Sequence, residues 1–264
     1  MRAFTLLLLF GVSVLSPRPA LAQRSVNPSV YEVKPLVDGA IIGVGVLAAA
    51  VAYFAADRWI RQTGAGDKNS LNFIDRNSVG NSNPTLDVIS DITVGAAMLA
   101  PPILDAFDLG FSPAFKEDLW VYAETLSVNN FMTTVAKYSV QRPLPRTYAD
   151  DPNLVHQPGG YRSFYSGHTS TAFSSLSTAA MTLNLRYHSG IWPWLVVAGV
   201  GTSVAIERVA AGRHFPTDVM VGAVAGTLVG AFVPYWHAKG TPDRLFITAA
   251  PIDTGGMLYA RIRF

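Results

Sequence analysis

The chain has 264 residues, of which 50% are hydrophobic and only 14% charged, and its formal net charge is +2. Ordinary soluble domains carry about 25% charged residues, so this composition indicates contact with lipid. The absence of cysteine excludes disulfides, thiolate metal sites and cysteine nucleophiles.

The first segment, residues 1–22, has the order of a secretory signal peptide. Arg2 precedes an uncharged run from Ala3 to Ser16, and Ala20-Leu21-Ala22 closes the segment. Because the run is shorter than the roughly 20 residues that a spanning helix needs, we expect cleavage. Cleavage would leave 18 of the 20 basic residues against 18 acidic ones. A neutral chain gives no electrostatic basis for a nucleic-acid partner.

The body of the chain, residues 23–244, contains six uncharged stretches rich in Ala, Gly, Val and Leu. They are 39–56, 92–104, 125–136, 163–185, 187–206 and 219–238. Strict alternation is absent, so the pattern predicts helices. We therefore expect an all-α, six-helix bundle embedded in a membrane. The repeat Gly222-x3-Gly226-x3-Gly230 predicts a seam where two helices pack closely.

The last segment, residues 245–264, changes character. Two apolar runs, Leu245–Ile252 and Met257–Phe264, flank Asp253-Thr254-Gly255-Gly256, which is a turn signal. We expect a short β-hairpin that is accessory to the helical domain, since two strands cannot close a barrel.

Polar residues cluster at three predicted helix ends. The first cluster runs from Lys137 to Arg146 and includes Arg142; the second is Ser166-Gly167-His168; the third runs from Arg208 through His214 to Asp218. A helix that starts at Ser166-Gly167-His168 presents unpaired backbone N–H groups, which favour phosphate. Lysine and arginine side chains add charge-assisted hydrogen bonds to phosphate oxygens.

The third cluster has the residues for nucleophilic catalysis. Pro216 suits the first position of a helix, which places Asp218 in the first turn and His214 just before it. Asp218 is then expected to bind one imidazole nitrogen of His214 and leave the other to attack phosphorus. His168 would protonate the leaving oxygen.

These residues resemble the signature of the type 2 phosphatidic acid phosphatases (PAP2), which share their site with class A acid phosphatases and vanadium haloperoxidases. That signature is Lys-x6-Arg-Pro, Pro-Ser-Gly-His and Ser-Arg-x5-His-x3-Asp. The third block is matched by Arg208-x5-His214-x3-Asp218, and Ser166-Gly167-His168 matches the second after Tyr165. The first block is degraded: seven residues after Lys137 stands Leu144, with Arg142 and Arg146 two residues to either side.

The resemblance implies a phosphatase that needs no metal or cofactor and acts on a phosphorylated membrane lipid. His214 would form a phosphohistidine, Asp218 would orient it and His168 would act as the acid. The substrate phosphate would be bound by Lys137, Arg208, Ser166, Gly167 and whichever of Arg142 and Arg146 replaces the missing arginine. A soluble-substrate phosphatase, a vanadium-type haloperoxidase and a non-catalytic membrane scaffold remain alternatives.

The remaining titratable residues fit none of the three blocks. We expect His156, His188 and His237 at the surface or the membrane interface, and Asp87-x3-Asp91 on a solvated helix face. The resemblance also implies a bacterial cell-envelope location, either in the inner membrane or on a periplasm-facing membrane surface.

Overall fold

The computed structural model describes residues 29–62, 64, 66–149, 151 and 154–240, together with the backbone of 245–252 and 255–262. The predicted signal peptide lies outside these residues. The helices are α1 (Pro35–Phe54), α2 (Phe73–Arg76), α3 (Pro84–Leu109), α4 (Pro113–Val140), α5 (Pro145–Tyr148), α6 (Gly167–Tyr187), α7 (Trp192–Ala210) and α8 (Pro216–His237). Short 3-10 turns lie at Ala56–Trp59, Lys68–Ser70 and Pro158–Tyr161. The backbone strands β1 (Leu245–Ile252) and β2 (Gly255–Ile262) pair antiparallel.

The mostly helical fold is confirmed, and the described chain has six long helices. Two of them extend well beyond the uncharged stretches that predicted them: α3 begins eight residues before Ile92, and α4 begins twelve before Thr125. These added turns carry charged residues that form ion pairs within the bundle, including Asp87 and Asp118. Side-chain caps fix where the helices begin, as Asn83 does for α3 and Ser112 for α4.

Helix α6 is the centre of the bundle and packs against α3, α4, α7 and α8. Its buried positions are mostly Ser, Thr and Ala, which allow neighbouring backbones to approach. Within the described residues, four helices are long and apolar enough to cross a membrane: α1, α3, α7 and α8. Their outward side chains include exposed Leu47, Ile92, Leu195 and Leu228, so the outer surface suits lipid contact.

The predicted glycine seam of α8 is confirmed. A Cβ at Gly222 would lie 2.8 Å from the carbonyl oxygen of Ser166, and one at Gly226 would overlap that of Ser170. The seam holds the N-terminal halves of α6 and α8 together, and the starts of these two helices carry two of the three polar clusters.

Gly226→Ala should therefore destabilise the bundle, because the new methyl group forces α8 away from α6 at a cost of about 1–3 kcal/mol. Gly199→Ala is the matched control: Gly199 is exposed on α7 with nothing within 4 Å of its would-be Cβ. There the change should be neutral or stabilising by up to about 1 kcal/mol, since Ala favours helix. Thermal unfolding in detergent measures both, and equal melting temperatures would contradict the seam.

Candidate active site

The three polar clusters meet at one end of the bundle around a cavity of about 430 Å³. The lining residues with basic side chains are Lys137, Arg162, Arg208, Arg213, His168 and His214. No Asp or Glu of the described part of the chain lines the cavity. One wall comes from the last turns of α1 and consists of Ala49, Ala52 and Tyr53. The cavity thus combines a cationic, imidazole-bearing floor with a partly apolar wall.

The start of α6 supplies the backbone part of the site. Ser166 caps the helix and is fully buried, where its Oγ accepts a hydrogen bond from Thr169 Oγ1 at 2.9 Å. Gly167 and His168 line the cavity directly, whereas Ser166 does not. The first-turn N–H groups of α6 and its dipole are therefore placed to favour an anion.

His214 is held in one tautomer by the backbone. Its Nδ1 lies 2.7 Å from the carbonyl oxygen of Ser163, so Nδ1 carries the proton and donates. That leaves Nε2 as the nitrogen with the free lone pair. Burial lowers the pKa of His214 well below its usual value, and the positive charges of Lys137 and Arg208 lower it further. His214 is therefore a neutral imidazole at pH 7, as a nucleophile must be.

Asp218 has a different role from the one that the sequence predicts. Its Oδ2 is 3.9 Å from His214 Nδ1, too far for a hydrogen bond. It accepts instead from Ser163 Oγ at 2.5 Å and from the N–H of Phe215 at 2.9 Å. Asp218 thus links the backbone at Phe215, which follows His214, to Ser163. The carbonyl oxygen of Ser163 orients the His214 ring.

Arg142 lies behind the cavity in a buried ion cluster. Its guanidinium donates to Asp218 Oδ1 at 2.5 Å, to Asp75 Oδ2 at 2.7 Å and to Thr217 Oγ1 at 2.9 Å, and it stacks on Phe215. Burial alone would raise the pKa of Asp75, but hydrogen bonds from Arg142 and Thr217 outweigh it and lower the pKa. The cluster anchors the first turn of α8.

The two arginines considered for the degraded first block are thus both engaged elsewhere. Arg146 pairs with Asp151, and neither Arg142 nor Arg146 lines the cavity. The lining guanidinium groups besides Arg208 belong to Arg162 and Arg213. Arg162 precedes the second block, and Lys137 Nζ donates to its carbonyl oxygen at 2.7 Å. In the sequence, Arg162 is only a basic residue near that block, and its spacing from the block does not identify it as a site residue.

Two carboxylates of α3, Asp87 and Asp91, form the outer layer of the site. The Asp91 side chain is exposed, as expected for a solvated helix face, whereas that of Asp87 is only 20% exposed. Asp91 Oδ1 is 2.7 Å from His168 Nε2. Asp87 accepts from Arg208 Nη1 at 2.8 Å and from Arg213 Nε at 2.9 Å. The one-turn spacing of Asp87 and Asp91 was the available signal, because it puts both on one face of the helix.

One histidine assignment is also wrong. His156 and His188 are exposed as expected, whereas His237 is only 7% exposed at the opposite end of the bundle. There it lies beside two buried carboxylates, Asp38 and Glu124. These three residues come from three different helices, so no local sequence pattern predicts that they lie together.

The fold and this cavity define a helical protein with a cationic, two-histidine anion site. Residues 118–242 match the family model of the PAP2 superfamily. The match ends before the β-strands, so the accessory role of residues 245–264 stays a prediction.

Three known proteins are similar to the chain. The lipid A 1-phosphatase of Porphyromonas gingivalis is 30% identical over 213 residues, which are 78% of this chain and 40% of that protein. The chain therefore spans about two fifths of this relative. The crystal structure of Aquifex aeolicus LpxE is 25% identical, with a TM-score of 0.44, over 60% of this chain and 90% of that one. A PAP2-type phosphatidylglycerolphosphate phosphatase from Bacillus subtilis is 22% identical, with a TM-score of 0.46, over 77% and 95%.

Proposed function

We propose that this protein is a phosphatase that hydrolyses phosphate monoesters or pyrophosphates of membrane lipids through a phosphohistidine on His214. The observation that carries the proposal is the cavity in which His214 and His168 face four cationic side chains beside an apolar wall. The cationic groups suit a phosphate, and the wall from α1 suits the hydrocarbon portion of a lipid.

In this mechanism, His214 Nε2 attacks phosphorus and the bond between phosphorus and the leaving oxygen breaks. His168, protonated on both ring nitrogens with its Nε2–H donated to Asp91, gives the proton on Nδ1 to that oxygen. A water then attacks the phosphohistidine, with His168 taking the proton of the water. Lys137, Arg162, Arg208, Arg213 and the amides that begin α6 stabilise the charge on the phosphoryl oxygens.

The donor set also bears on metal dependence. Divalent cations such as Mg²⁺ are bound through carboxylates, but the lining of this cavity holds none and four cations would repel such an ion. We propose that phosphate release does not require a metal ion in this cavity.

Phosphate release from a panel of substrates in detergent with EDTA tests the function. The panel holds lipid A, phosphatidate, phosphatidylglycerol phosphate, a polyprenyl pyrophosphate and the soluble ester p-nitrophenyl phosphate. We expect release from the lipids over the soluble ester, with lipid A placed first because the Porphyromonas gingivalis relative carries that name. Preference for the soluble ester would favour an acid phosphatase, vanadate-dependent halide oxidation a haloperoxidase, and no turnover a scaffold.

We further propose that the cavity faces the periplasm from the inner membrane. The periplasm-facing location that the resemblance implies supports this side. The C-terminal end of α1, the start of α3 and the end of α4 all lie at the cavity end. A cleaved signal peptide would place the start of the mature chain in the periplasm. If α1, α3 and α4 then all cross the membrane, the cavity would face the cytoplasm, so a periplasmic cavity and a cleaved signal peptide exclude each other.

Cysteine labelling decides the orientation, because the sequence has no cysteine of its own. Lys68 is exposed near the cavity end and Lys116 is exposed near the opposite end, so Lys68→Cys and Lys116→Cys form a matched pair. With the outer membrane permeabilised, an impermeant maleimide should label Lys68→Cys at once and Lys116→Cys only after lysis. The reverse order would contradict the periplasmic placement.

A further inference from the structure

The end of the bundle opposite the cavity holds a buried group of metal-ligand type. It consists of Asp38 in the first turn of α1, Glu124 in α4 and His237 in the last turn of α8, all less than a tenth exposed. One ligand atom from each lies within 4.8 Å of the other two. Since α-helices rise about 1.5 Å per residue, the stretch of α4 from Glu124 to Lys137 separates this group from the cavity by about 20 Å.

Two of the three separations between ligand atoms match those around a tetrahedral ion, and the third, between the oxygens of Asp38 and Glu124, is within 4.8 Å. His237 Nε2 lies 3.3 Å from Glu124 Oε2 and 3.5 Å from Asp38 Oδ1. Zinc bonds to imidazole and carboxylate of about 2.0–2.1 Å in tetrahedral geometry put neighbouring ligand atoms about 3.3–3.4 Å apart. The imidazole donor favours zinc over magnesium or calcium, which prefer oxygen alone.

The groups around the donors are already arranged as an outer layer for a metal. His237 Nδ1 donates to the carbonyl oxygen of Val233 at 2.9 Å, which turns Nε2 toward the two carboxylates. The backbone N–H of Lys34 donates to Asp38 Oδ2 at 2.7 Å and leaves Oδ1 facing the centre. Both ligand orientations are thus fixed without use of the inward atoms.

One of the three ligand atoms is buried without a hydrogen bond. Glu124 Oε2 is buried and contacts His237 Nε2 at 3.3 Å, but it has no contact of hydrogen-bond geometry among the described residues. Two buried carboxylates with a neutral imidazole carry a charge of −2, which a divalent ion cancels and a proton on His237 only halves. An uncompensated buried charge is costly, so the charge that a proton on His237 would leave favours a divalent cation at this position.

We propose that Asp38, Glu124 and His237 bind one zinc ion that joins α1 to α4 and α8. The ion is structural: it fixes the first turn of the helix whose last turns wall the catalytic cavity. It is separate from the chemistry proposed for His214, so chelation should lower the melting temperature while phosphate release persists at temperatures well below unfolding.

The test uses the full chain without a histidine tag, stripped with EDTA, desalted and titrated with Zn²⁺ alone. We expect one zinc per chain by elemental analysis, a higher melting temperature, and with Co²⁺ the visible absorption of a tetrahedral site. Glu124→Gln and His237→Gln should each weaken zinc uptake at least tenfold. Glu32→Gln is the control, because Glu32 is exposed at the same end of the bundle.

If Glu124→Gln fails to fold, His237→Gln and zinc uptake by the wild-type protein still decide the question. Folded wild-type protein that takes up no stoichiometric zinc would overturn the proposal, as would equal uptake by the wild type and both ligand variants. Failure of the proposed function shows differently, as zinc-loaded protein that releases no phosphate from any lipid.

Discussion

His214→Ala should abolish phosphate release from lipid phosphates, with a loss of at least about 10⁴-fold in kcat. The physical reason is that His214 is expected to form the covalent bond to phosphorus, and no neighbouring group can replace a missing nucleophile. Its Nδ1 is committed to the carbonyl of Ser163, so only Nε2 is presented for attack. Phosphate release at saturating substrate measures the effect.

The matched control for this variant is His156→Ala, since His156 is exposed and away from the cavity lining. It should retain wild-type turnover. Melting temperatures of both variants show whether the fold is kept. A folded His214→Ala protein with more than a tenth of the wild-type rate would rule out His214 as the nucleophile.

Arg142→Ala should unfold the cavity end of the bundle, at a cost of about 3–5 kcal/mol in the free energy of unfolding. Its guanidinium is the shared partner of Asp75 and Asp218, whose side chains are completely buried. Removal leaves two buried carboxylates without their ion pair and releases the first turn of α8. Chemical denaturation in detergent measures the loss.

Arg146→Ala is the comparison that separates anchoring from substrate binding. Arg146 pairs with Asp151 near the surface, so its loss should cost no more than about 1 kcal/mol. Neither side chain lines the cavity, and turnover by the folded Arg146→Ala protein should stay near the wild-type value. If Arg142→Ala instead keeps its stability and loses only affinity for the lipid phosphate, Arg142 is a substrate ligand and the anchoring role is wrong.

Local signals in the sequence predicted the parts of this protein that depend on local chemistry. Ser166 before Gly167 marks a helix start because its side chain caps the helix, and Pro216 marks another because proline suits the first turn. The glycine seam on α8 could also be predicted, because a glycine at every fourth residue places the glycines on one face of the helix. These signals predicted that His168, His214 and Arg208 lie at one end of the bundle.

The remainder depends on contacts between residues far apart in the chain. No residue near Arg142 in the sequence indicates its ion pair with Asp75. Its position near the first block was therefore the only basis for making Arg142 a candidate for substrate binding. In the same way, the Ser163 carbonyl takes the orienting role expected of Asp218 because the N–H of Ser163 donates to the distant carbonyl oxygen of Arg142. The group of Asp38, Glu124 and His237 needs three helices in register, which single-sequence periodicity does not encode.

Trapping the covalent intermediate tests the central claim most directly. Wild-type protein mixed with a lipid phosphate carrying radiolabelled phosphorus, quenched within one turnover and digested, should yield a labelled peptide containing His214. The label should be stable to alkali and lost in acid, as a phosphohistidine is, and absent from His214→Ala. Rapid turnover with no labelled peptide, or a label on a residue other than His214, would contradict the account.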